Sequence, residues 1–422
     1  MKQKNSLLPF SIILLISILF TIVFIKCSNN MINAPEDRHV SSLNKIGQSL
    51  VSSSSQFGFS LLKEINNSQK NENIFISPLS ASMAFGMVLN GAKNGTYDEI
   101  KSVLGLNGLT QDEINTNYKS VIETLSNVDG LVQFQSANSI WYRSGFSVEQ
   151  SFLDVNKNFF NSLVQSADFN DPNTVNIIND WVKQNTNSKI DKIIDQISKD
   201  MVMYLINAIY YKGTWKYQFD KSKTADYPFY LPGTDGIQRK MMLQETDLEY
   251  YSSSNYTAVD LPYGNNSYRM RIILPNNNSD VETILQNMNP DEFNMITGNM
   301  NKQHCVLKMP LFKLSFEMML NDVLKNIGMK KAFDPIQADF TNINKNGGLF
   351  ISEVKQKTFI DVNEEGTEAA AVTSIGVKAT SIHGGNDGPV YINVERPFLF
   401  MIYESNSNTI LFMGKIFNPT IE

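Results

Sequence analysis

Over residues 43–170 apolar side chains recur mainly at helical spacing. Phe57, Leu61, Leu62 and Ile65 fall near one face, and residues 77–89 form an apolar run rich in small residues. Ser77-Pro78 is a good opening for that second helix: the serine hydroxyl can cap the first turn, and proline at the first helical position gives up no hydrogen bond. Ala84, Gly86, Gly91 and Ala92 let another element approach closely, so the segment reads either as a plain buried helix or as a helix lying behind a sliding sheet. Residues 176–194 are amphipathic, with Ile177, Ile178, Trp181 and Val182 on one side and Lys183, Lys189 and Lys192 elsewhere, which predicts a surface helix. Beyond Met201 the pattern becomes strand-like, with runs over 203–211, 268–274, 350–362, 398–403 and 410–417. No internal repeat and no Pro/Ser linker interrupts the chain after residue 43. A single α+β domain over 43–422 is therefore expected.

The N-terminus stands apart from this domain. Lys2 and Lys4 precede an apolar run over 7–25 that closes at Lys26 and Cys27, so residues 1–26 read as an export signal or a membrane anchor. The run is long for a secretory core, which keeps a retained span as a second reading. Cys27 sits where a lipoprotein carries its lipid, although Lys26 is unusual before such a site, and residues 27–42 form a polar tether. Secretion without an anchor is the third reading. All three place the domain outside the cytoplasm.

Composition narrows the functional classes. A chain of 422 residues that is 42% hydrophobic can bury a large core. A net charge of -6, a pI near 5.3 and no basic cluster beyond pairs such as Lys330-Lys331 argue against a nucleic-acid surface. Apart from Cys27 there is one cysteine, Cys305, in a strand-like run, so it reads as a small buried hydrophobe and no structural disulfide is expected. Three histidines are available to a catalyst: His39 in the tether, His304 beside Cys305, and His383 in a Gly-rich loop. His304 and Cys305, adjacent on a strand, point to opposite faces and cannot share a metal ion. No nucleophile elbow, zinc-helix motif or phosphate loop is present. The chain lacks the parts of an enzyme, and no cofactor or metal is expected.

The informative stretch follows the strand ending at Val362. Residues 364–389 form a connection longer than ordinary loops, which is uncommon without a function. From Thr367 to Val377 its residues are small or β-branched and none is proline, so the stretch could serve as a central strand if a slot opened for it. With a period of two, Thr367, Ala369, Ala371, Thr373, Ile375 and Val377 would share one face, suited to packing on a helix. Glu368, Ala370, Val372, Ser374 and Gly376 would share the other, suited to solvent. Gly366 supplies the hinge.

These residues resemble the serpins. The segment Glu364-Glu365-Gly366-Thr367-Glu368-Ala369-Ala370-Ala371 is similar, almost residue for residue, to that family's inhibitory hinge. Further matches are Asn73-Ile74-Phe75-Ile76-Ser77-Pro78-Leu79-Ser80, Ala137-Asn138, Asn207, Tyr211-Lys212-Gly213-Thr214-Trp215, Arg396-Pro397-Phe398-Leu399-Phe400, Leu411-Phe412-Met413-Gly414-Lys415-Ile416 and Asn418-Pro419. The resemblance implies helices packed on a large mixed sheet, further smaller sheets and an exposed reactive-centre loop. It also implies a monomeric, irreversible inhibitor of serine proteases, with papain-like cysteine proteases as a further target class. The loop is cleaved, the protease is held as an acyl-enzyme, and the loop enters the main sheet as a strand. About a dozen new ladder bonds at roughly 0.5–1.5 kcal/mol each, with apolar burial, would yield on the order of 10–20 kcal/mol.

Carried over by motif, the scissile bond falls at Thr380-Ser381, with Lys378-Ala379 as an alternative suited to a trypsin-like enzyme. Ser77, Ser80, Asn207 and Gln356 resemble the polar cluster beneath the sheet opening, with Gln356 in place of the family's common histidine. Trp215 and Glu364 resemble the region where insertion begins. Leu311 stands where many members carry a lysine that pairs with that glutamate, leaving Lys313 as the substitute. A non-inhibitory binding or surface protein on the same scaffold is the competing expectation.

Overall fold

The computed structural model describes residues 45–367 and 388–421. Several helices open on a side-chain cap. Thr110 and Glu113 make a reciprocal box, in which Thr110 Oγ1 accepts from the Glu113 amide at 3.3 Å and Glu113 Oε2 accepts from the Thr110 amide at 2.8 Å. Ser77 caps with its hydroxyl on the Ser80 amide, ahead of Pro78. The helices are α1 (Lys45–Ser68), α2 (Pro78–Leu89), α3 (Asn94–Val103), α4 (Gln111–Asn127), α5 (Gln150–Phe160), α6 (Asn173–Asn185), α7 (Val281–Asn287), α8 (Pro290–Asn299) and α9 (Asn321–Asn326).

The strands are β1 (Ile74–Ile76), β2 (Val132–Arg143), β3 (Leu163–Ala167), β4 (Met203–Thr214), β5 (Ala225–Phe229), β6 (Ile237–Ser252), β7 (Tyr256–Tyr263), β8 (Tyr268–Pro275), β9 (Asn301–Pro310), β10 (Phe312–Met319), β11 (Lys355–Asn363), β12 (Gly366–Thr367), β13 (Val390–Asn393), β14 (Phe398–Glu404) and β15 (Thr409–Ile416). Among the described residues they make two sheets. One has the order β1-β15-β14-β8-β7-β6-β9-β13, with β5 also on β6; the other has the order β10-β11-β12-β4-β2-β3. Both are mixed, because β2 with β3 and β9 with β13 run parallel while the other pairs are antiparallel.

Strands β14 and β15 are buried along their whole length, which fits their near-continuous apolar sequence. Phe75 of β1 stacks between Phe400 and Phe412 at 5.6 and 5.2 Å. The buried cation Arg271 is fully partnered: it donates to both oxygens of Asp260 at 2.9 Å and its guanidinium lies 4.5 Å from the Phe293 ring centroid. The thin surface of α2 serves two purposes. A methyl group on Gly86 would meet Tyr118 of α4 at 2.6 Å, whereas Ala81 and Ala84 turn toward the six-stranded sheet.

The helix expected over 176–194 stops at Asn185. Asn187 and Ser188 take φ of 47° and 61°, and Thr186 Oγ1 donates to Val182 O while accepting from the Ile190 amide. The Asn179 carboxamide then accepts from the amides of Ile193 and Ile194. Ile190 and Ile194 still reach the core beside Ile178, Val182 and Trp141, so a returning loop mimics a helical pattern. The strand expected over 350–362 begins only at Lys355, since the segment before it is tied to α9, with the Leu320 amide on Val354 O.

Candidate functional site

Strand β11 alternates regularly: Gln356, Thr358, Ile360 and Val362 are buried and the residues between them are partly exposed. A two-residue turn, Glu364-Glu365, leads to β12, which returns antiparallel with Asn363 opposite Gly366 and Val362 opposite Thr367. On its other side β12 pairs antiparallel with β4, Gly366 opposite Thr214 and Thr367 opposite Gly213. β12 is thus wedged between two longer strands.

Close contact dictates the residues of this wedge. Gly366 has φ of 156°, and a methyl group there would lie 2.1 Å from Gly213 O and 2.8 Å from Thr214 Cα, so the position requires glycine. Thr367 is only 4% exposed and shares a 2.5 Å hydrogen bond with the Tyr263 hydroxyl. Burial pushes the Tyr263 phenol well above its usual range, so it keeps its proton. Trp215 stacks on Tyr263 at 4.2 Å; its Nε1 donates to Asn363 O at 2.8 Å and its amide to Glu365 O at 2.9 Å. The Phe219 amide donates to Glu364 O at 3.0 Å. Glu364 takes a hydrogen bond from Thr224 Oγ1 at 2.6 Å, and the lysine at this turn is Lys221, paired with Glu365, in place of the expected Lys313.

Beneath Thr367 the described residues of β4 and β11 do not pair with each other. They border a cleft of about 490 Å³ whose lining includes Ser77, Ser80, Ala81 and Ala84, with Asn207 and Gln356 among the strand residues. The Gln356 carboxamide accepts from the Ser77 amide at 3.2 Å and donates to Ser77 O at 2.9 Å, while Ser77 Oγ donates to Leu411 O at 2.7 Å. Asn207 belongs to a separate network: its Nδ2 donates to Asn138 Oδ1 at 2.6 Å and to Ser136 Oγ at 3.3 Å, and its Oδ1 is buried without a hydrogen-bond partner among the described residues.

The family model described as "Serpin (serine protease inhibitor)" matches residues 52–419. The chain belongs to the serpin family. This serpin is 32% identical to Iripin-8 of Ixodes ricinus over 379 residues, covering 87% of this chain and 93% of the relative. It is 30% identical to Serpin B12 of Homo sapiens over 408 residues, covering 88% and 100%. Among solved structures it is similar to the thermophilic serpin tengpin in its native state, with TM-score 0.79, 30% identity and 90% and 95% coverage. It is also similar to human thyroxine-binding globulin in complex with thyroxine, with TM-score 0.80, 27% identity and 89% and 100% coverage. The family consists mostly of protease inhibitors that bind target proteases, in keeping with a chain that is not itself an enzyme.

In this serpin the fold brings Ser77, Ser80 and Gln356 together, keeps Asn207 in its own network, and sets Trp215 with Glu364, Gly366 and Thr367 at the wedge. Glu368, Ala369, Ala370 and Ala371, the bonds Thr380-Ser381 and Lys378-Ala379, and Cys27 lie outside the described residues. Sequence reasoning missed Tyr263, Thr224 and Lys221. Each reaches the hinge across more than a hundred residues, and no local pattern marks them. His304 and Cys305 do face opposite ways. The His304 ring lies between Asp247 and Glu245 at 3.0 and 3.1 Å, whereas Cys305 is buried and its thiol is pushed up to about 11 by desolvation.

Proposed function

We propose that this serpin is an irreversible suicide-substrate inhibitor of serine proteases, with papain-like cysteine proteases as a further class. It is cut at Thr380-Ser381, or at Lys378-Ala379, and then extends β12 between β4 and β11. The observation that carries this reading is the wedged β12, which already stands where the inserted strand would begin. Continuing its register six residues along each strand would set Thr373 opposite Asn207 and Gln356, with Ala369 and Ala371 at the inward positions between. Alanines suit the space above Ala81 and Ala84, and the Thr373 hydroxyl would offer a donor beside the unpartnered Asn207 Oδ1. The test is incubation with trypsin, elastase and subtilisin: an SDS-resistant complex is expected, and clean loop cleavage by every enzyme with no complex would refute the reading.

The likeness to a thyroxine-bound neighbour supports a second reading, a non-inhibitory carrier or surface protein. Melting intact and loop-cleaved protein separates the two, since an inhibitor gains much heat resistance on cleavage and a carrier little. The apolar run over 7–25 and Cys27 support an extracytoplasmic location, secreted or membrane-held, and mass spectrometry of the mature N-terminus decides among the anchor states.

A further inference from the structure

Methionine is abundant in this chain, at 18 residues, and most of those among the described residues are buried. Met203 and Met319 are exceptions, and both line the cleft between β4 and β11. They stand on opposite faces of the six-stranded sheet. On β4, Tyr204 packs its ring 5.8 Å from that of Phe169, and Ile206 joins Ile178 and Val182 of α6, so by alternation Met203, Leu205 and Asn207 turn to the other face, toward α2. Asn207 bears out that direction, with its Nδ2 lying 3.8 Å from Met83 Sδ of α2. Met319 pairs with Lys355 of β11, which alternates with the inward Gln356, so its side chain lies on the outer face and is 42% exposed. Met201, a third methionine in the lining, is only 8% exposed and packs in the cluster with α6. Met203 therefore presents a thioether to the inner side of the open slot.

We propose that Met203 is an oxidation site, converted by a peroxide to the sulfoxide while the slot is open, and that the sulfoxide slows entry of the cut loop. The effect on entry rests on the insertion reading above. In the reaction the sulfur lone pair attacks one peroxide oxygen and the O–O bond breaks. The proton of the transferred oxygen goes to the departing hydroxide, which leaves as water; the thioether loses two electrons and the peroxide gains them. The product replaces a flexible apolar side chain by a polar one with a strong acceptor and no donor. Continuing the β12 register ten residues along each strand would set Val377 opposite Met203, on the inward face. Leu205, Phe340, Ile343 and Phe350 also line the cleft, and none has a side-chain donor to offer the new oxygen. In the open slot water can solvate that oxygen, whereas a strand carrying Val377 would shut it in unpaired. The same strand would cover an unmodified Met203, so the site closes once the sheet is filled.

The experiment treats the full chain with hydrogen peroxide, maps sulfoxides by peptide mass spectrometry before and after trypsin nicks the loop, and follows the gain of denaturant resistance after nicking. Met203→Leu keeps the volume and removes the sulfur, and Met319→Leu removes the exposed thioether on the outer face as a control. Met203 should oxidise in the intact chain and at least about tenfold more slowly in the nicked one. The oxidised wild type should gain resistance about three- to tenfold more slowly than the untreated chain, and oxidised Met319→Leu should be slowed alike. Oxidised Met203→Leu should match its untreated form, and methionine sulfoxide reductase should restore the wild-type rate. An intact chain that oxidises at Met319 and not at Met203 overturns the proposal. So does a Met203 sulfoxide that leaves the rate unchanged, or a slowing that persists in Met203→Leu. An untreated wild type that gains no resistance after nicking overturns the insertion reading and the effect on entry with it. That outcome is distinct, because Met203 would then oxidise equally before and after the nick.

Discussion

Replacing Gly366 by alanine sets a methyl carbon 2.1 Å from Gly213 O and 2.8 Å from Thr214 Cα, both backbone atoms that cannot swing aside. The φ of 156° alone costs a residue with a Cβ about 1–3 kcal/mol. If β12 yields, the Thr367 pairing to β4 and its bond to Tyr263 go as well, at about 1 kcal/mol each, for a total of about 3–5 kcal/mol. With an unfolding entropy of about 2 cal/mol/K per residue, that loss lowers the melting temperature of a chain this size by roughly 4–6 °C. The assay is a melt followed by circular dichroism and tryptophan emission. Trp215 is one of three tryptophans and is bonded to Asn363 and stacked on Tyr263, so its emission should shift to the red. A variant that melts within about 1 °C of wild type with unshifted emission would refute the wedge.

Gln356→Glu removes the donor to Ser77 O and buries a carboxyl whose folded pKa burial must raise. A raised folded pKa means stability present below the unfolded value near 4.3 and lost as pH rises, so melts should show a loss of about 2–3 kcal/mol between acid and neutral pH that wild type lacks. Asp247 and then Glu245, by hydrogen bonding, raise the His304 pKa above its usual 6.5, so its contribution is full below that value and fades as pH rises through the folded one. The ring is 36% exposed, and screening limits this to a fraction of a kcal/mol, which melts of His304→Gln across pH should flatten. Cys305, buried and with its thiol held high, should resist thiol reagents in a Cys27→Ser chain and react fully once unfolded; rapid labelling of the native protein would contradict its placement.

Much of this architecture could be read from the chain because the signals are local. The Ser77-Pro78 cap, the alternation from Gln356 to Val362 and the apolar runs of β14 and β15 each reflect neighbours in sequence. Gly366 drew notice in the chain because a glycine followed by small residues has a narrow set of uses. What could not be read was the set of partners. Thr224 for Glu364, Lys221 for Glu365 and Tyr263 for Thr367 are chosen by tertiary approach, whereas the resemblance had left Lys313 as the candidate partner of Glu364. The over-long helix at 176–194 failed for a related reason: Ile190 and Ile194 bury through a return of the chain that keeps the apolar spacing while abandoning helical φ and ψ.

β12 runs opposite to both β4 and β11, so those two lips point the same way. Were they to close on each other, they could form only a parallel seam, the slightly weaker kind of pairing. A strand descending between them from the Glu364-Glu365 turn would build two antiparallel seams in its place, without crossing the sheet or reversing direction. Polarity therefore favours an antiparallel strand as the filler of this gap, the pairing that the proposed insertion would supply.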